Sequence, residues 1–335
     1  MCKNIINQIL ISKYLISVIK TKSSAIIHKN KILQIILVII ILLSFDFNKP
    51  SNKPQICLCA IGKKENLYVE EFVEHYKKLG YDKIFIYDNN DKNDENLKDV
   101  LDREIYENFV SIIDFQGYRG KSEDPQIVAY YDCYEKNYDK YDWFSFFDID
   151  EFLEIKNNKS IKQFLSDKKF KKCYNIIINW IVYTDNNLVY YDDRKIQERF
   201  TEPLLNNSIN RHVKSTIRGK RRTNYWRKAT NSHRPKIKVP TCTQNGERLS
   251  KFKSRIQKIN YDNAYIKHYN TKTIEEFIIK IKRGKSIGKS ELNYNYWNET
   301  LHNFFKINKV TEEKLNYIRK EINISFSKDI FFPIL

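Results

Sequence analysis

Apolar and polar positions follow one another in a regular order between residues 55 and 153. "QICLCAIG" is a near-continuous apolar run and predicts a buried strand. "ENLYVEEFVEHYKKLG" places Phe72, Val73, Tyr76 and Leu79 on one helical face, with Gly80 as the stop. "DKIFIYDNN" predicts a second strand, "NDENLKDVLDREI" a weaker helix and "FVSIIDF" a third strand. In "EDPQIVAYYDCYEKNYDKY", Asp124 caps a helix that Pro125 opens, and "WFSFFDID" predicts a fourth strand. Alternating strands and helices with strands this apolar predict an α/β class: a Rossmann-like, mostly parallel sheet with helices on both faces. Ligands bind such sheets at the carboxyl ends of the strands, where Asp88, Asn89, Asp114 and Asp148 gather.

The second half is less periodic. "CYNIIINWIVYT" predicts a further buried strand, and "LVYYDDRKIQERF" fits no single pattern. "RHVKSTIRGKRRTNYWRKATNSHRPK" is basic, dotted with aromatics and without clear period. A short strand follows with His268 and Tyr269, then a helix with Ile274, Phe277, Ile278 and Ile281 on one face. A last helix opens behind Thr311, in the manner of a capping box.

Ahead of this pattern lies "ILQIILVIIILLSF", fourteen residues between Lys31 and Asp46. Six lysines precede or border the run, and no acidic residue comes before Asp46. A bilayer takes about 20 apolar residues, so the run is short. Its length also fits the core of a cleaved signal peptide, but no small-residue cleavage site follows, and a thin secretory-pathway membrane accommodates an anchor this short. The expected organisation is a basic cytosolic tail over 1–31, a signal-anchor over 32–47, a short stem over 48–54 and one domain over 55–335. With positive charge inside, that domain is lumenal, on a single-pass type II protein of the Golgi or endoplasmic reticulum. Sequons at Asn158, Asn206, Asn298 and Asn323 are compatible with this address. Hydrophobic residues at 41% exclude a disordered chain. The net charge of +18 suits anionic partners, although most single basic runs are solvated surface. Cys57 and Cys59 alternate on a strand, so they are poor partners for each other. Five cysteines beyond the anchor allow one or two bridges, and without a CxxC pair a zinc site is not indicated.

The stretch "WFSFFDIDEFL" carries the chemistry. On a strand, Asp148 and Asp150 share a face, and Glu151 follows directly. Two close carboxylates repel unless a cation lies between them. A hard dication, Mn²⁺ or Mg²⁺, takes a few carboxylate oxygens and completes its shell with water or phosphate. Three strands precede the pair, unlike phosphatases that carry theirs on the first strand. Glycine fingerprints for P-loops and dinucleotides are absent, since "AIGKKEN" holds one glycine. What remains is a nucleotide-diphosphate donor gripped through a metal.

"CLCAIGKKENLYVEEFVEHYKKLGYDKIFIYDNN" resembles the opening of glycosyltransferase family 92 and its family-2-like relatives of the GT-A fold. "FFDIDEFL" is similar to the family's DxDEF metal motif, and "VYTDNN" falls where the family usually has FGSSG. "ERF", "VKST", "SHRPK" and "IKHYNTKTIEEFIIKIKRG" follow in the family's order, so the resemblance covers residues 56 to about 284. It implies transfer of a hexose from a nucleotide sugar, with a UDP-sugar as donor, to a hydroxyl of a glycan or glycoprotein, with inversion. By the same resemblance Asp150 and His268 hold the metal, and Asp148 touches the ribose or the metal through water. Lys64, Glu65, Asp88 and Asn89 line the nucleotide, while Lys214 and His233 offset charge on the leaving diphosphate. Inverting transfer needs a base near the acceptor hydroxyl. Asp185 lies in the acceptor loop and Glu198, Asp192 and Asp193 are equally reachable, so the choice stays open.

Two other readings compete. Arg211, Lys214, Arg218, Lys220, Arg221, Arg222, Arg227 and Lys228, interleaved with Tyr225 and Trp226, form a nucleic-acid surface on paper. A lumenal address excludes nucleic acid as a partner. An inactive relative acting as scaffold or lectin is the other, and the intact Asp148, Asp150 and His268 argue against it.

Overall fold

The computed structural model describes residues 53–101, 107–118, 124–220, 232–233, 239–250, 254–256, 258–283 and 294–322. The expected tail, anchor and stem up to residue 52 lie outside the described residues, as does sequon Asn323. No helix among the described residues is long and apolar enough to cross a membrane.

The first half follows its pattern. Strand β1 (Ile56–Gly62) is parallel to β2 (Lys83–Asp88), and β2 to β3 (Val110–Asp114). On its other side β1 is parallel to β4 (Trp143–Phe146). Alternation along β1 sends Ile56, Leu58 and Ala60 to one face, where helix α1 (Asn66–Leu79) packs Val69, Phe72, Val73 and Tyr76 against them. Cys57 and Cys59 point to the other face, against Ala129, Tyr130 and Cys133 of α2 (Pro125–Asn137). Gly80 ends α1 at φ 94, a left-handed position where a side chain would be strained. Asp124 caps α2 by accepting the N–H of Gln126 at 2.9 Å, and Pro125 is its first residue.

Two expectations change. The segment 94–105 forms only a 3₁₀ turn at Leu97–Asp99 among its described residues, with 102–106 outside them. More important, the sheet is mixed: its order is β3-β2-β1-β4, then β7 (Val213–Arg218), β6 (Asn175–Val182), β10 (Ala264–His268) and β5 (Glu151–Ile155). The basic stretch after residue 211 contains β7 (Val213–Arg218), antiparallel to both β4 and β6 (Asn175–Val182). Its interior, Lys214, Ser215 and Thr216, reads as polar yet is buried. Thr216 Oγ1 meets Ser145 Oγ at 2.9 Å, and that hydroxyl meets the Tyr81 hydroxyl at 2.8 Å. The Thr216 hydroxyl and the Lys214 ammonium thus enter the core with partners, whereas the buried Ser215 hydroxyl has none among the described residues.

Beyond β6 lies β10 (Ala264–His268), parallel to it, and β5 (Glu151–Ile155) closes that edge antiparallel to β10. Helices α3 (Ile161–Leu165) and α4 (Ile196–Arg199) are short. Strands β8 (Thr241–Thr243) and β9 (Arg248–Leu249) extend one end of β6. At the C-terminal side, α5 (Ile274–Lys282) buries Ile274, Phe277, Ile278 and Ile281, the face its spacing predicts. It packs with α6 (Tyr294–Phe305) and α7 (Glu312–Ile322). A full capping box between Thr273 and Glu276 opens α5, and Arg199 pairs with that buried Glu276 at 2.8 and 3.0 Å.

Two disulfides join distant segments. Cys59–Cys133 ties β1 to α2 across 74 residues, and Cys173–Cys242 ties the start of β6 to β8 across 69. Cys57 is a buried free thiol. Each bridge closes a long loop and stabilises the fold by about 4 kcal/mol in the chain-entropy account. Replacing Cys173 and Cys242 together by serine is therefore expected to lower the melting temperature by roughly 10 °C. Melting unchanged by the double replacement would contradict this.

Candidate active site

The acidic residues do not continue the fourth strand. β4 stops at Phe146, and the chain turns, with the N–H of Glu151 donating to the carbonyl of Asp148 at 3.0 Å. It then crosses to the far edge of the sheet as β5. In that register Glu151 lies opposite His268 of β10, and the N–H of Tyr269 donates to the carbonyl of Asp150 at 3.0 Å. The turn therefore joins the parallel half of the sheet to its mixed half, which is why residues far apart in sequence meet there.

Lys214, fully buried on β7, reaches up beneath the turn. Its Nζ lies 2.7 Å from Asp148 Oδ2 and 3.2 Å from Glu151 Oε2. Asp148 Oδ1 accepts from Gln126 Nε2 at 2.6 Å and from the Tyr130 hydroxyl at 3.2 Å. Burial pushes the Asp148 carboxyl up, but the Lys214 ammonium holds it below the ordinary value. Glu151 is fully buried and shares the same single cation, so burial raises its carboxyl well above the usual range. Its Oε1 has no hydrogen-bond partner and lies 3.9 Å from His268 Nε2. One ammonium thus serves two carboxyl groups whose pKa values are pushed in opposite directions.

Asp150 faces other partners. His268 Nε2 lies 3.5 Å from its Oδ1 and Lys280 Nζ 3.0 Å from its Oδ2. Burial opposes its charge, yet the Lys280 ammonium and the His268 ring hold it well below the ordinary carboxylate value. Burial lowers the His268 pKa in spite of Asp150, so its ring is neutral and can offer a lone pair. Beside them Arg283 donates to Glu65 Oε1 at 2.7 Å, and buried Lys272 stands 3.8 Å from Glu65 Oε2 and over the Tyr68 ring.

These groups border a cavity of about 710 Å³ at the carboxyl ends of the strands, large enough for a nucleotide sugar. Asp148, Asp150, His268, Glu65 and Asn89 line it, as their sequence positions lead one to expect. The other expected residues are placed differently. Asp88 is consumed by the loop after β2, accepting from the N–H groups of Asn90 and Leu97 at 3.0 Å each. Lys64 is exposed and pairs with Asp94 at 3.0 Å. Lys214 is spent under the turn, and His233 packs edge-on against Trp180, its pKa pushed down to about 4 by burial and by Lys214.

The acceptor-loop residues need the clearest correction. Asp185 is buried against α7, 2.5 Å from Lys314, and its N–H donates to Asn308 Oδ1. Next to it Asn186 and Asn187 take left-handed φ of 49° and 61°, which asparagine tolerates better than most side chains. Glu198 is exposed on α4, Asp192 and Asp193 stand in the preceding loop, and none of these four borders the cavity. Of the basic stretch, Arg218 is turned inward over the Trp143 ring, and Lys220 pairs with Asp142 at 2.9 Å. Arg221, Arg222, Tyr225, Trp226, Arg227 and Lys228 lie outside the described residues.

Sequence reasoning passed over Lys280, Arg283, Gln126, Trp180 and Asp124, all of which line the cavity. Lys280 and Arg283 sit at the exposed-looking end of an amphipathic helix, where basic residues are ordinary. Trp180 is an apolar residue in an apolar strand, yet its buried Nε1 has no hydrogen-bond partner among the described residues. Asp124 was legible only as a cap.

Among the described residues no three His, Cys, Asp or Glu side chains form a metal cage. Asp150 and His268 nonetheless fit a two-donor site. Their nearest oxygen and nitrogen are 3.5 Å apart, close to the separation of two ligands on one ion, and the ring is neutral. A carboxylate with an imidazole suits Mn²⁺ better than Mg²⁺. Asp148, with both oxygens engaged, is a polar wall of the cavity rather than an open donor.

The chain shares 23% identity over 116 residues with a glycosyltransferase family 92 protein of Oryza sativa subsp. japonica, a match of 35% of this chain and 19% of that relative. Matched solved structures include a mannosyltransferase of Pyrobaculum calidifontis in complex with GDP-Man and Mn²⁺ (9% identity, 45% of this chain and 44% of that one, TM-score 0.29). Another is TarS 1-349 of S. aureus in complex with UDP-GlcNAc (13% identity, 78% and 77%, TM-score 0.32). The family model for glycosyltransferase family 92 matches residues 53–324, and the chain belongs to that family.

Proposed function

We propose that this chain is a metal-dependent glycosyltransferase that moves a hexose from a nucleotide-diphosphate sugar, a UDP-sugar, to a hydroxyl of a glycan or glycoprotein, with inversion. The observation that carries the reading is the buried Asp150–His268 pair, lining a cavity whose cationic walls are Lys280, Arg283 and Lys63. Mn²⁺ or Mg²⁺ held by Asp150 and His268 would neutralise the donor's diphosphate. The chain's own groups do the rest. Lys280 and Arg283 present positive charge where negative charge grows on the departing diphosphate. Asn89, fixed by donating its amide to the carbonyls of Phe115 at 3.1 Å and Tyr118 at 2.8 Å, shapes the nucleotide end. Trp180 lines the same cavity, and its indole N–H has no hydrogen-bond partner among the described residues.

For the base we assign Asp124. It borders the cavity, and its Oδ1 caps α2. Among the described residues no lysine or arginine pairs with it, whereas Glu65, Asp148 and Asp150 are each paired with one. An unpaired carboxylate at an acceptor hydroxyl can take its proton. Two disulfides fit an oxidising compartment, in keeping with a lumenal domain behind a membrane anchor at 32–47.

Two experiments test this reading. With Mn²⁺ and a panel of UDP- and GDP-sugars, residues 47–335 should release nucleotide, and Asp150→Ala or His268→Ala should lower that rate by roughly 10³-fold at unchanged melting temperature. Wild-type turnover by either variant would remove the metal assignment. Asp124→Asn keeps the helix cap, so it should leave donor KM near wild type and cut kcat by about 10² to 10⁴. A kcat within twofold of wild type would place the base elsewhere.

A further inference from the structure

Lys280 occupies an unusual position for a lysine on an amphipathic helix. Its ammonium is 3.0 Å from Asp150 Oδ2, at the cavity mouth, and its side chain keeps 30% of its exposure while Asp150 keeps 8%. The same ammonium donates to the backbone carbonyl of Asn270 at 2.9 Å and lies 3.4 Å from that residue's Oδ1. It thus has an anchorage that does not depend on Asp150. The other cations of this segment lack that freedom: Arg283 is committed to Glu65 and to the carbonyl of Lys63, and Lys272 is buried over Tyr68. Asp150, for its part, has only two oxygens. One is turned to His268, the other to Lys280.

We propose that Lys280 is a tethered stand-in cation, one that neutralises Asp150 in the empty site and yields it to the divalent ion on loading. The idea rests on the functional reading above and deepens it. Asp150 Oδ1 faces His268 and Oδ2 faces Lys280, so a dication on the first oxygen would sit close to the ammonium on the second, and like charges this close repel where little water screens them. Once displaced, Lys280 stays beside the cavity through Asn270, with its charge uncompensated. The diphosphate that enters with the metal restores the balance. Metal and nucleotide therefore bind with positive coupling: each is favoured by the other through the exchange of Lys280 from carboxylate to phosphate. No bond is made or broken in this exchange.

The test measures binding, not turnover. Mn²⁺ affinity of residues 47–335 is followed by electron paramagnetic resonance and calorimetry, alone and with saturating UDP. In Lys280→Met, Mn²⁺ alone should bind about 10-fold more tightly than in wild type, and the enhancement of Mn²⁺ binding by UDP should fall by about 10-fold. Lys280→Arg keeps the charge and should behave as wild type within about threefold. Melting curves establish that both variants are folded. If Lys280→Met binds Mn²⁺ no better than wild type in the absence of UDP, the exchange is refuted while the Asp150–His268 ion site stands. If wild type binds no Mn²⁺ with or without UDP, the exchange and the ion site fall together.

Discussion

The cavity exists because the acidic turn between β4 and β5 is electrostatically balanced from below and from the side. Three carboxyl groups within four residues would repel each other apart in a buried position if left alone. Lys214 underpins Asp148 and Glu151, while Lys280 and His268 face Asp150. The two sets of partners divide the work. Lys214 is fully buried and has no route to the cavity, so its role is to hold the turn's shape. Lys280 and His268 open onto the cavity and set what Asp150 can bind.

Sheet topology makes this balance achievable. A purely parallel sheet would continue from β4 into a helix and leave the aspartates alone at a strand tip. Here β7 inserts antiparallel beside β4, delivering Lys214 beneath the turn, and β10 pairs with β5, delivering His268 beside it. The helix after β10 then swings Lys280 and Arg283 over the mouth. Four segments spread over some 140 residues of sequence converge at one point.

How much of this could be read beforehand varies with the physics involved. The first strands and helices were legible because apolar periodicity and end signals such as Gly80, Asp124 and Pro125 act locally. Asp148, Asp150 and His268 were legible as types that suit a cation. Their neighbours were not, since burial of Lys214, Ser215 and Thr216 depends on partners in other segments rather than on hydropathy. Asp185 is drawn away from the cavity for the same reason. Nothing near Asp185 in sequence announces that Lys314, on a helix 129 positions later, will claim it.

The claim on which the rest depends is that a divalent ion is held between Asp150 and His268. It is tested most directly by crystallising residues 47–335 with Mn²⁺ and UDP and collecting diffraction at the manganese edge. The account predicts one anomalous peak within about 2.0 to 2.4 Å of an Asp150 oxygen and His268 Nε2, with phosphate oxygens completing the shell. A peak elsewhere, or UDP bound in the cavity with Lys280 still on Asp150 and no metal beside it, would contradict it.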